Sequence, residues 1–254
     1  MMVADSAMER RARWVRALGL LLFVIGALLG LGLAGIAIWG DLEATLFDRT
    51  MELLSDASLK GLHCPMLLTT DESGTVSATI KNPLDRPAEF RVRIHVSRYL
   101  TLLRESDSWV SLAPGERQRV EWTVTPDDVV YDHLILVKVL QYPRYPLPSR
   151  LGSCGVVVVD LPILSGGQIL ALALAASLLG MSAGIGLWLA ISRPLHGREL
   201  EAVRAMVALA CCVVASLIAG LLGLWGLGIA VVVAIILLTG AIGQHFVSGP
   251  TRRG

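Results

Sequence analysis

From Ala17 to Gly40 the chain carries no Asp, Glu, Lys or Arg. At about 1.5 Å of rise per helical residue, such a run crosses a hydrocarbon core about 30 Å thick. A second uncharged run extends from Gly166 to Ser192. A third, from Ala205 to Thr251, is 47 residues long, enough for two crossings with a tight turn where Gly220, Gly223, Gly226 and Gly228 surround Trp225. The pattern predicts four transmembrane helices, at 17–40, 166–192, 203–222 and 226–245, with a segment at 1–16, a loop at 193–202 and a tail at 246–254 on the cytoplasmic side. Trp14, Trp39, Trp188 and Trp225 fall near the predicted helix ends, where interfacial indoles are favoured. A cleaved signal peptide competes for the first run, because Arg10, Arg11, Arg13 and Arg16 make a good basic start. The run is longer than the roughly 7–15 residues of a signal core, and no A-x-A site precedes Asp41.

Between the first two runs the pattern changes to alternation. Residues 74–82, 88–97, 118–125, 133–141 and 154–161 are rich in β-branched side chains, and their breaks fall at Asn82-Pro83, Pro114-Gly115, Pro126-Asp127 and the proline-rich 143–148. With a first strand at 64–70 and a short one near 109–112, seven strands are predicted in about 100 residues, the pattern of a β-sandwich of immunoglobulin or fibronectin type. The expected fold is thus an α + β membrane protein: four helices with a seven-stranded sandwich, 63–163, inserted between helices 1 and 2, preceded by a juxtamembrane segment at 41–62.

Composition agrees and adds orientation. Hydrophobic residues make up 54% of the 254, charged residues only 17%, and the mean hydropathy is +0.64. The net charge of +1 is a cancellation. Residues 41–165 hold 13 basic and 17 acidic side chains, and the remainder holds 9 basic and 4 acidic. Such a division excludes a nucleic-acid binder with a general basic face. The arginines at the N-terminal segment, the 193–202 loop and the tail belong on one side, which places both termini in the cytoplasm of a prokaryotic plasma membrane and residues 41–165 outside.

The stretch Ser111-Leu-Ala-Pro-Gly-Glu-Arg-Gln-Arg-Val-Glu-Trp-Thr-Val124, after the strand Val76-Ser-Ala-Thr-Ile-Lys-Asn-Pro83, resembles the CARDB and NEW3 type of prokaryotic immunoglobulin-like domain. The resemblance covers residues 62–162. It implies an adhesive or assembly module and no catalytic residues.

In that fold the last strand runs towards the helix that follows it, and alternation then starts the first strand at the far end. Residues 41–58 have to climb there, as a helix capped by Asp41 and ended by Gly61 that rises about 27 Å; the alternative is an amphipathic helix lying on the bilayer. The same parity sets Cys64 and Cys154 at the membrane-distal end, on the first and last strands, which lie side by side in sandwiches of this type, so a disulfide is expected in an oxidising compartment, with two reduced thiols as the alternative. Cys211 and Cys212 lie in helix 3 and read as small buried hydrophobes.

Catalytic chemistry finds few carriers. No Asp, Glu, Lys or Arg is predicted inside the hydrocarbon, which argues against a pump or proton-coupled transporter. His245 reads as interfacial. His63-Cys64-Pro65-Met66 contains the ligand types of a copper site, but alternate strand residues point to opposite faces, and His63 and Met66 are only a weak alternative as ligands. Asp127, Asp128 and Asp132 lack the glycine and the closing glutamate of an EF-hand loop and read as a solvated turn. Small-x-x-x-small pairs, Gly26/Gly30, Gly180/Gly184 and Ser216/Gly220, predict close helix packing within the chain or with another subunit. Leu84, Arg86, Pro87, Tyr142, Arg144, Tyr145 and Arg150 combine aromatics, arginines and prolines at one end of the sandwich. They form the candidate partner contact, with a stiff, self-covering hairpin as the alternative.

The reading is a non-catalytic accessory or assembly subunit of a larger membrane complex, embedded in the lipid bilayer beside other membrane subunits, without cofactor and without nucleic acid. A copper-handling or redox subunit and a surface receptor for an unknown ligand are the alternatives.

Overall fold

The computed structural model describes residues 2–99, 102–161, 163–191, 198–224 and 226–235. Trp225, residues 192–197 of the predicted loop, the predicted fourth helix beyond 235, His245 and the tail arginines lie outside the described residues. The chain forms two compact units, Met1–Gly35 with Leu172–Gly254, and Ile36–Ala171.

The helical unit draws on α1 (Met2–Leu46), α2 (Gly166–Ile191), α3 (Arg198–Leu221) and a shorter apolar helix, α4 (Gly226–Ile235). Among the described residues three segments, Arg13–Leu46, Gly166–Ile191 and Glu199–Leu221, are long and apolar enough to cross a membrane. The turn expected among the glycines after α3 is a left-handed stop: Gly223 has φ +68°, and the Gly223 and Leu224 amides donate to the carbonyls of Gly220 and Ala219.

Small residues let α1 and α2 touch backbone to backbone. A Cβ placed on Gly26 would lie 2.7 Å from the Ser177 carbonyl oxygen and the Met181 nitrogen, and one on Gly180 would lie 3.1 Å from the Gly26 Cα. The buried Ser177 hydroxyl donates to the Gly26 carbonyl at 2.8 Å. Gly30 makes room for Ser177 Oγ and for Val213 of α3, and Gly184 for Phe23. The seam predicted from Gly26, Gly30, Gly180 and Gly184 is therefore an intrachain contact. Ser216 is fully buried in α3; Cys211 is exposed and Cys212 half-buried, both free thiols, so the expectation of a buried Cys211 is corrected.

The second unit is a two-sheet sandwich, with nine strands among the described residues: β1 (Ala57–Ser58), β2 (Leu62–His63), β3 (Leu67–Thr69), β4 (Gly74–Lys81), β5 (Ala88–Arg98), β6 (Leu102–Leu112), β7 (Arg117–Val124), β8 (Leu134–Gln141) and β9 (Arg150–Val159). One sheet has the order β1-β9-β8-β5-β6, with β3 also on β9; the other has the order β2-β4-β7. Inward positions of both sheets, among them Val76, Ile80, Trp122, Phe90, Val92, Ile94, Val137 and Val156, form one core.

Two differences from the sequence expectation stand out. Of the first strand expected at 64–70 only β3 forms, and two further short strands precede it in the expected linker, β1 and β3 pairing parallel with β9 and β2 antiparallel with β4. The short strand near 109–112 is an eleven-residue edge strand, paired along its length with β5.

The climb is also built differently from a helix over 41–58. α1 continues unbroken through Asp41 to Leu46, so Asp41 is no N-cap. Asp48 then adopts a left-handed backbone, φ +42°, and a 3-10 turn at Glu52–Leu54 leads into β1. The segment lies on the outer face of the six-stranded sheet. Ala44 and Met51 are 0 and 1% exposed, with Ala44 set on Leu134 and Leu136 of β8. Glycine permits the closest approach: a Cβ on Gly155 of β9 would run into the Gly40 carbonyl, while the Gly155 amide donates to Asp41 Oδ1 at 3.3 Å. Gly61 has φ +89° in the turn between β1 and β2.

The chain leaves β9 through a pinned helix start. Ser165 and Gln168 exchange side-chain to backbone hydrogen bonds in a capping box. Glu72, from the β3–β4 turn, accepts the Gly166 amide at 2.8 Å, placing an acid at the positive end of α2.

Candidate functional site

At the end of the sandwich remote from Gly166, the β4–β5 turn and the β8–β9 turn face each other across a cleft of about 430 Å³, lined by Leu84, Arg86, Pro87, Ala88, Pro143, Arg144 and Tyr145. Five of the seven predicted contact residues line it. Tyr142 and Arg150 do not. Tyr142 lies beneath the guanidinium groups of Arg91 and Arg93, 4.6 and 5.8 Å from its ring centre, and Arg150 is half-buried in β9 opposite Gln141.

Asn82 shapes one wall of the cleft. It is fully buried; its Nδ2 donates to the carbonyls of Arg86, Leu112 and Ala113, and its Oδ1 accepts from the Leu84 amide at 3.0 Å. One amide side chain thus fixes the 82–88 turn on the β6–β7 hairpin. The opposite wall is closed by reciprocal bonds between Arg144 and Leu147, across a turn that contains a cis Tyr145–Pro146 bond. Arg86 Nη2 donates to the Tyr145 carbonyl at 3.4 Å. Tyr145 remains 87% exposed, so a large amphipathic ring and two guanidinium groups are presented on preordered turns.

Beside the cleft, on the outer face of β5 and β6, Arg91 and Arg93 both bond Asp107, at 2.8–2.9 Å. Those hydrogen bonds, from Arg93 first and Arg91 second, hold the Asp107 carboxyl below the usual carboxylate range and raise both arginines. Arg91 also lies over Trp109, 5.7 Å from its ring centre.

A second cluster escaped the sequence analysis. Glu105, His95, Lys138 and Ser153 form a row across β6, β5, β8 and β9, directly opposite one another in register. The last turn of α1 and the connector after it cover the row. Thr45 and Ser153 share a hydrogen bond at 3.2 Å, and His95 Nδ1 meets Asp48 Oδ2 at 2.5 Å. Lys138 Nζ donates to the Asp48 carbonyl and to Glu52 Oε1, at 3.2 and 3.0 Å. Burial opposes ionisation of Asp48, but hydrogen bonds from Thr50 and His95 outweigh it and hold the carboxyl below its ordinary range. With the Lys138 side chain 1% exposed and His95 8%, the cluster clamps the connector to the sheet. Lys138 is the only charge in Leu-Ile-Leu-Val-Lys-Val-Leu-Gln, a strand buried on both faces. A cation inside such a run has to be covered and paired, and that was the available signal.

Cys64 and Cys154 form the expected disulfide, Cα to Cα 6.5 Å. The Cys64 sulfur is therefore not a thiolate ligand, and His63 is exposed on β2 opposite Ser77. The acidic turn is not uniformly solvated as the sequence suggests. Asp128 is buried and binds Arg104 at 2.7 Å and the Thr125 amide at 3.0 Å, whereas Asp127 and Asp132 are exposed.

No family model and no curated protein matches the chain. Among solved structures, a CARDB domain from Pyrococcus furiosus, solved with di-metal ions, is similar to 42% of this chain over 96% of its own length, at 15% identity and a TM-score of 0.33. Its solution structure is similar over 39% of this chain and 91% of its own, at 15% identity and a TM-score of 0.30. A β-glucosidase from Listeria innocua in complex with glucose shares 21% identity over 42% of this chain and 17% of its own, at a TM-score of 0.31.

Proposed function

We propose that this protein is a non-catalytic accessory or assembly subunit of a larger membrane complex, which presents its sandwich as a protein-binding module. The chain crosses a prokaryotic plasma membrane four times, keeps both termini in the cytoplasm and exposes residues 41–165 outside. The observation that carries the reading is the cleft at Leu84, Arg86, Pro87, Arg144 and Tyr145. Tyr and Arg on preordered turns recognise a protein segment at low entropic cost. The Gly26/Gly30 and Gly180/Gly184 seam is engaged within the chain, and the directional groups for a partner lie on the sandwich.

The test is a photo-crosslinking residue at Tyr145 in the full chain, in native membranes, with a second at Asp71 at the other end of the sandwich as control. A single adduct of defined mass from position 145, stoichiometric after mild-detergent purification and lost in Arg144→Glu, is expected. A monodisperse, partner-free chain in several detergents, with no adduct at 145, overturns the proposal.

A further inference from the structure

Among the exposed large apolar and aromatic side chains of the sandwich unit, one group gathers at the end from which the chain passes into α2. Tyr99 is 59% exposed, Leu102 60%, Leu103 39% and Tyr131 54%, and the four line one shallow depression of about 240 Å³ with Phe47, Val130 and Leu136. Strand register fixes their level. Arg98 pairs with Leu102, Val96 with Val137 and Leu134 with Val157, so Arg98 and Leu102 stand level with the last residues of β9. Beyond them the chain shows exposed Leu161, Ile163 and Leu164 before the Glu72-pinned start of α2. At the same level Trp39 of α1 is 54% exposed and stacks edge-on against His133, 5.8 Å between ring centres.

Two of these aromatics stand where an aromatic is costly. Tyr99 and Tyr131 have φ of +54° and +53°, left-handed positions that glycine or asparagine fills cheaply and a bulky residue does not. Each holds its ring out from the sandwich. Arg98 lies 5.9 Å from the Tyr99 ring centre, with its own side chain exposed. Rings with a polar tip, flanking leucines and a guanidinium are the composition that settles in the headgroup layer, where one end of a side chain is apolar and the other wet.

We infer that this end of the sandwich docks on the lipid headgroup layer of the bilayer its own helices cross, through Tyr99, Leu102, Leu103 and Tyr131, with Arg98 on lipid phosphates. The inference rests on the reading that α1 and α2 span that bilayer. A leucine-tipped end continuous with a membrane-entering strand meets lipid before it meets any diffusing partner, and burying its apolar area there orients the opposite cleft away from the surface.

The test uses the full chain in phosphatidylcholine nanodiscs, with Cys211 and Cys212 replaced by alanine and one fluorescent label at Leu102→Cys, Leu172→Cys or Tyr145→Cys. Quenching by doxyl-labelled phospholipid is compared with quenching by iodide. Lipid quenching several-fold stronger at 102 than at 145, and reduced when Leu103→Glu is added to the 102 label, is expected. Strong lipid quenching at 172 with none at 102 overturns the inference and leaves the membrane reading standing. Absence of lipid quenching at both 102 and 172 overturns the membrane reading and the inference with it.

Discussion

Reducing the Cys64–Cys154 bond should cost the sandwich a large part of its stability, and the size of the loss follows from chain topology. The bond closes a loop 90 residues apart in sequence, for which the loop-entropy relation gives about 4.6 kcal/mol at room temperature. That figure assumes free ends. Here α1 and α2 touch through Gly26, Ser177 and Gly180, so the unfolded insert is already a ring of roughly 120 residues. A bridge across such a ring behaves like a loop of about 22 residues and is worth about 3.4 kcal/mol. Thermal unfolding of the full chain in mild detergent, followed by tryptophan fluorescence with and without reductant, should show a midpoint lower by about 10–20 °C when reduced. The Cys64→Ala, Cys154→Ala double variant should match the reduced protein and not respond to reductant. A shift of less than about 2 °C would refute the reasoning, because the bridge would then constrain nothing that the helices do not.

Two further outcomes bear on the clamp and the seam. Lys138→Met should be neutral or stabilising by up to about 2 kcal/mol, because an apolar side chain of similar length removes a buried charge, whereas Glu52→Ala should destabilise by about 1–2 kcal/mol by leaving the ammonium with one partner fewer. Urea titration of the two single variants and the double variant checks this, and a costly Lys138→Met beside a neutral Glu52→Ala would contradict the clamp. Gly26→Leu should cost about 1–3 kcal/mol, since its side chain enters the space of Ser177 and Met181. Cysteine crosslinking between α1 and α2 would show the seam opening, and an unchanged crosslinking rate would count against it.

The parts of the fold that were readable in the sequence are those with one dominant signal. Uncharged runs marked the helices, and β-branched alternation marked β4, β5, β7 and β8 to within a residue or two. β6 was hidden because an edge strand has only one covered face. Its Leu-Leu-Arg-Glu-Ser-Asp-Ser-Trp-Val-Ser-Leu stretch is largely exposed until Val110 and Leu112, so only its end showed the period. β1 and β2 were hidden, and β3 was overestimated in length, because these strands of two or three residues are too short to show periodicity. The cleft was legible because turn residues announce themselves as Asn-Pro and Tyr-Pro. The Lys138 row was not, since its members lie on four strands and a connector, and only register brings them together.

The small residues of the helices and the tip of the sandwich carry different weights once the contacts are known. From spacing alone, Gly26 and Gly180 are equally able to serve a partner subunit. In the folded chain they touch each other's helices at backbone distance, and a partner helix gains nothing from a surface already filled. What α1 and α2 offer outward is apolar, large side chains such as Leu28 at 63% and Leu179 at 68% exposed with Gly32, Gly35 and Gly186 open between them, and the large side chains are satisfied by lipid as well as by protein. Directional groups add specificity that apolar packing lacks, and among the described residues Arg86, Arg144 and Tyr145 combine such groups with a preordered backbone. If Arg144→Glu abolishes partner capture while Gly26→Leu lowers stability and leaves capture intact, assembly and anchoring are separate properties of the two units. Capture lost only with Gly26→Leu would assign recognition to the helices instead.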